Sequence, residues 1–90
     1  MDTLKAWREA DSIRNFTKRE AAISRLENEW FGKQWVFRSG KVEVQGTLEQ
    51  IGEGYIEDDA CYPALTIRVG DDPFAAFWLK GHLRDFTLVE

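Results

Sequence analysis

The spacing of apolar residues divides the chain into two parts. Over residues 3–31 they recur at helical intervals. On a 3.6-residue wheel Phe16, Ile23, Leu26 and Trp30 share one stripe, while Leu4 and Trp7 project from a different side. One straight helix cannot carry both sets, so the pattern predicts a break. Thr17-Lys18-Arg19-Glu20 has the form of a capping box, in which a threonine hydroxyl and a glutamate satisfy backbone donors at a helix start. Asn15 just before it favours a turn. The reading is a short helix near 3–13 and a firmer one near 18–31, ended by Gly32.

From Lys33 the period changes to two. Trp35 and Phe37 alternate with Gln34 and Arg38, Ser39-Gly40 marks a tight turn, and Val42, Val44 and Leu48 alternate with polar neighbours. Gly46 interrupts that run and predicts a bulge or sharp bend. Gly52-Glu53-Gly54 reads as the next turn, followed by Tyr55-Ile56 and an acidic stretch to Asp59. Leu65, Ile67 and Val69 form another alternating run, closed by the turn Gly70-Asp71-Asp72-Pro73. Phe74 to Leu79 is almost wholly apolar, Lys80-Gly81-His82 reads as a turn, and Phe86 and Leu88 share one face of a last strand. The expected class is α+β: N-terminal helices, then a small, strongly bent five-stranded antiparallel sheet or barrel. One domain is expected over 1–90, with a helical segment 3–31 and a β segment 33–90. SH3-like, Sm-like and OB-like barrels all suit this outline.

Two stretches narrow that choice. Val42-Glu43-Val44-Gln45-Gly46-Thr47-Leu48-Glu49-Gln50-Ile51 resembles the bent second strand of the Sm-like family, with glycine, leucine and a further apolar residue at the family's spacing. Leu79-Lys80-Gly81-His82-Leu83 resembles its later signature, a basic residue and glycine between the last two strands. The resemblance spans roughly residues 33–90 and implies a barrel fold that assembles into oligomers. Where the family places an aspartate and then an asparagine against RNA bases, this chain has Gly52 and Ile56, and at the basic contact position Lys80 stands for arginine. The resemblance therefore bears on fold and assembly rather than on RNA binding.

Composition supports one small aromatic-rich core. The chain has 90 residues, 43% of them hydrophobic, with four Trp, six Phe and two Tyr. That content excludes a disordered chain. Net charge is −4, and residues 1–30 are balanced, so the whole excess lies in residues 31–90. No basic patch is present to release counterions from phosphates, which argues against generic DNA binding and against attachment to an anionic membrane. The N-terminal Met1-Asp2-Thr3-Leu4-Lys5 lacks the basic and apolar regions of a signal peptide, and no apolar run approaches the ~20 residues that span a bilayer. The expected address is the cytoplasm.

Candidate chemistry is sparse. Cys61 is the only cysteine, so no internal disulfide is expected, and neighbouring Asp58 and Asp59 disfavour its thiolate. His82 is the only histidine, and it reads as an exposed turn residue. Glu53, Glu57, Asp58 and Asp59 do not follow the alternating order of a calcium loop and read as a solvated loop. Paired carboxylates in a small hydrolase would need a deep cleft, and the loop of Glu57, Asp58 and Asp59 ranks last among the functional readings. No P-loop, dinucleotide fingerprint or zinc-protease motif occurs. No catalytic residue, metal or cofactor is expected.

The aromatics carry the remaining signal. Trp30, Trp35 and Phe37 sit at core-periodic positions. The run from Phe74 to Leu79 is apolar on both faces, where a half-buried antiparallel strand alternates with polar residues. Phe74, Phe77, Trp78 and Leu79, together with Trp7 off the main helical stripe, are the expected interface residues. The leading reading is a non-catalytic protein-interaction module, of adaptor or inhibitor type, that self-associates as a homo-oligomer. The alternative is an oligomeric Sm-like barrel that binds RNA or a nucleotide through Lys80, His82 and an aromatic.

Overall fold

The computed structural model describes residues 2–57 and 60–90. Among these residues two helices precede five strands: α1 (Thr3–Asp11), α2 (Phe16–Trp30), β1 (Gln34–Ser39), β2 (Val42–Glu57), β3 (Ala60–Val69), β4 (Phe77–His82) and β5 (Phe86–Leu88), with a 3-10 turn, Leu83–Asp85, before β5. The strands form one antiparallel sheet in the order β4-β3-β2-β1-β5. The α+β class and the bent five-stranded sheet are as the sequence predicts. The sheet is not closed into a barrel: β4 and β5 are its two edges and are not paired with each other.

The break between helices falls where the wheel requires it, but the capping residue differs. Asn15, not Thr17, caps α2: its side-chain oxygen accepts the Lys18 N–H at 3.0 Å. An asparagine with extended backbone satisfies an orphan donor of the first turn, so the cap lies two residues before Thr17, the expected one. Phe16 thereby falls in the first turn and is exposed, with the Arg19 guanidinium over its ring, rather than on the buried stripe. Asp2 caps α1 in the same way, accepting from Lys5 N–H at 3.1 Å.

The break also lets both helical stripes reach one core. Trp7, Trp30, Trp35, Leu48, Tyr62, Leu65, Ile67, Leu83 and Phe86 form a continuous buried cluster. Trp30 stands edge-on to Trp35, ring centres 5.4 Å apart, and tilts against Trp7 at 6.2 Å. Three of the four tryptophans, Trp7, Trp30 and Trp35, concentrate apolar burial where a small domain has little volume to spare.

Two glycines let β2 curl along β3. A Cβ on Gly46 would stand 2.4 Å from the Arg68 carbonyl oxygen, and one on Gly54 would stand 2.4 Å from Ala64 N. Only hydrogen fits at either place. Gly52 and Gly54 do not form the expected turn. β2 runs unbroken to Glu57, and its register against β3 shifts twice, between Leu48 and Gln50 and between Gly52 and Tyr55. Each shift inserts an extra residue that bends the strand.

Candidate functional site

β4 is an edge strand. One side pairs with β3 through Val69↔Phe77, Arg68↔Trp78, Ile67↔Leu79, Thr66↔Lys80, Leu65↔Gly81 and Ala64↔His82. No strand of the described residues pairs with its other side. Residues directly opposite each other share a face. Phe77, Leu79 and Gly81 thus lie on the face of Leu65 and Ile67, which are fully buried, and Trp78, Lys80 and His82 lie on the other. Gly81 sits so close to Phe37 and Phe86 that an added Cβ would meet the Phe37 ring at 2.9 Å. The C-terminal end of β4 is therefore built into the core, and its N-terminal end projects from it.

The apolar run divides at that point. Leu79 packs against the core. Phe77 and Trp78 are 48% and 58% exposed, and Phe74 is 99% exposed. β4 begins at Phe77, three residues after the expected start, because Asp72 folds the preceding chain into a turn. Its carboxylate accepts the Phe74 N–H at 2.9 Å, and its carbonyl accepts from Ala75 and Ala76. That turn carries Phe74 outward.

Trp78 is exposed yet held in place. Its indole N–H donates to Glu49 at 2.9 Å, and the other oxygen of the same carboxylate accepts from Arg68 Nε at 2.6 Å. Arg68 Nη1 in turn donates to the Gly70 carbonyl at 2.9 Å. These two donors, the indole first, hold the Glu49 carboxyl below the usual carboxylate range. Glu49 and Arg68 are positioning residues that the sequence reading missed. Their meeting depends on the register shift after Leu48, which alternation alone does not reveal.

Trp7 does not belong to this surface. It is 8% exposed, and its indole N–H donates to the Cys61 carbonyl at 2.9 Å. With α1 and α2 as separate helices, the odd side of the wheel becomes a buried side, and nearly all of the ring packs within the domain.

Lys80 is exposed, whereas His82 is buried at 5% exposure. The expected turn at Lys80-Gly81-His82 is strand instead, and the chain turns one step later at Leu83–Asp85. His82 Nδ1 caps that turn by accepting the Arg84 N–H at 3.0 Å. Its ring stacks on Tyr55 at 4.9 Å and tilts against Tyr62 at 5.2 Å. Its Nε2 stands 3.2 Å from Glu57 Oε2, out of line for a hydrogen bond. Both ring nitrogens thus face the protein, and Lys80 and His82 share no exposed surface. Glu57 is also held by Arg84 at 2.9 Å, and Asp58 and Asp59 lie outside the described residues.

Compared with models of protein families, with curated proteins and with solved structures, the chain finds no match. No helix among the described residues is long and apolar enough to cross a membrane.

Proposed function

We propose that this chain is a non-catalytic protein-interaction module that self-associates through the β4 edge. The observation that carries the reading is an unpaired strand edge flanked by Phe74, Phe77 and Trp78, with Trp78 pre-set by Glu49 and Arg68. An unpaired edge offers a row of main-chain donors and acceptors to an added strand, and side chains beside it supply specificity. A tryptophan already fixed in position loses little freedom on binding.

A second copy is the favoured occupant because the sheet supplies two open edges, β4 and β5. The three aromatics expose roughly 400 Å² together, taking ~200 Å² per side chain, which is about half of the ~800 Å² that a standard interface buries per partner. Main-chain pairing along β4 adds to that area. The cytoplasmic address and the adaptor or inhibitor role belong to this same reading.

Light scattering on purified protein, before and after nuclease treatment, tests it. A mass above the 10.4 kDa of one chain, unchanged by nuclease, is the expected result. A mass of one chain at every concentration contradicts the proposal. Loss of mass on nuclease treatment would favour the Sm-like RNA-binding alternative.

A further inference from the structure

A second feature lies on the other flank of the sheet. Residues of α1, α2, β2 and β3 line an open groove of about 640 Å³. Its apolar walls come from Trp7, Ile51, Tyr55, Ile56, Tyr62 and Pro63. Tyr55 and Ile56 are exposed. The charged residues along it are Asp11 from α1, Glu27 from α2 and Glu53 from β2, and no lysine or arginine lines it. Among the described residues Glu43, Glu49, Glu57 and Asp85 meet an arginine, whereas Glu9, Glu20, Glu29 and Asp71, outside the groove, do not. Among the described residues, none of the three groove carboxylates has such a partner.

We infer that this groove receives a short basic segment of a partner protein, a lysine or arginine whose aliphatic stem lies on the apolar wall while its charged head meets Glu27 and Glu53. The long stem of such a residue covers apolar surface and carries its charge to the rim, which matches a groove apolar inside and anionic outside. An acidic or phosphorylated segment would be repelled by all three carboxylates. The Glu27 carboxyl is raised above the usual carboxylate range by burial and by Glu20, as expected of an acid that lacks a cation in the free protein. This surface is separate from the β4 edge, so the inference does not depend on self-association.

Fluorescence anisotropy with a labelled peptide of alternating arginine and leucine tests it, with a glutamate-for-arginine counterpart as the comparison. The basic peptide should bind and the acidic one should not. The double variant Glu27→Gln with Glu53→Gln should bind about tenfold more weakly, as expected when charge-assisted contacts are lost. The variant Glu29→Gln with Asp71→Asn removes the same two charges outside the groove and should bind as the wild type does. Cys61 is exposed and lines the groove, so peptide binding should slow its reaction with a disulfide reagent. Phe77→Asp should leave peptide binding unchanged, which separates this inference from the fate of the β4 reading. Absence of binding, equal losses in the two double variants, or an unprotected Cys61 would overturn it.

Discussion

Alanine at Gly46 and alanine at Gly52 should act in opposite directions, although both glycines lie in β2. A Cβ on Gly46 would stand 2.4 Å from the Arg68 carbonyl oxygen, 2.9 Å from the carbonyl carbon and 3.2 Å from a Val69 methyl. Ordinary contacts are about 3.5–4.0 Å, so the strands would have to part by about 1 Å. Overpacking of this kind costs about 1–3 kcal/mol. Strain on the neighbouring Thr47–Arg68 ladder adds about 0.5–1.5 kcal/mol for a lost backbone bond. The expected loss for Gly46→Ala is therefore about 2–4 kcal/mol, or a fall of roughly 10 °C or more in Tm at ~4–8 °C per kcal/mol. Gly52 has no atom within 4 Å of its added Cβ and no positive φ. Alanine there restricts the unfolded chain and should stabilise by about 0.4–1 kcal/mol. Urea melts followed by tryptophan fluorescence report on this directly, since Trp30 and Trp35 are fully buried. The comparison is made at one protein concentration, because association would shift apparent stability. A wild-type midpoint for Gly46→Ala, or an equal loss for Gly52→Ala, would refute the close-approach account of the bend.

Asn15→Ala should cost about 1 kcal/mol in thermal or urea melts, and Thr17→Ala much less, because Asn15 holds the cap. Glu49→Gln should lower stability at neutral pH. The Trp78 and Arg68 donors hold the Glu49 carboxyl below its ordinary 4.5, so its contribution is complete above that value and is lost as pH falls through the folded pKa. The difference between variant and wild type should therefore shrink on acidification, and a difference that persists at low pH would contradict the role given to its bonds with Trp78 and Arg68. Glu27 has the opposite sign: its raised pKa gives stability that is present below 4.5 and is lost as pH rises through the folded value. Glu27→Gln should thus melt slightly higher than wild type at pH 7, and a clear fall in Tm would count against an unpaired carboxylate at that position.

The class of fold was legible because two periods, 3.6 and then 2, change at Gly32, and turn chemistry at Ser39-Gly40 and Gly70-Asp71-Asp72-Pro73 marks real strand ends. Trp7 shows where this legibility stops. The pattern predicts two separate helices, but which side of α1 meets the core is set by how α1 packs, and periodicity does not encode that. His82 shows the same limit: glycine beside a basic residue suggests a turn, yet Gly81 is needed within a strand to admit the Phe37 ring. The glycine pair at 52 and 54 looks like punctuation but accommodates a bulge, because the partner strand opposite is not encoded locally. The apolar excess of residues 74–79 was visible in sequence. That Leu79 is core while Phe74, Phe77 and Trp78 stay exposed follows from the Asp72 turn and the pairing register. The acidic groove was not legible at all. It gathers residues from two helices and a hairpin, and no single segment carries its pattern.

Phe77→Asp, followed by light scattering and far-UV circular dichroism, tests the central claim most directly. Phe77 is half exposed at the unpaired edge, so a carboxylate there can be solvated in the monomer but would be buried against a second chain. Phe74→Asp, at a position 99% exposed, serves as a companion with little folding cost. The account predicts that wild-type protein scatters as an oligomer and that both variants scatter as a folded 10.4 kDa monomer with the wild-type spectrum. An oligomer that survives both substitutions, or a Phe77→Asp chain that loses its fold, would contradict it.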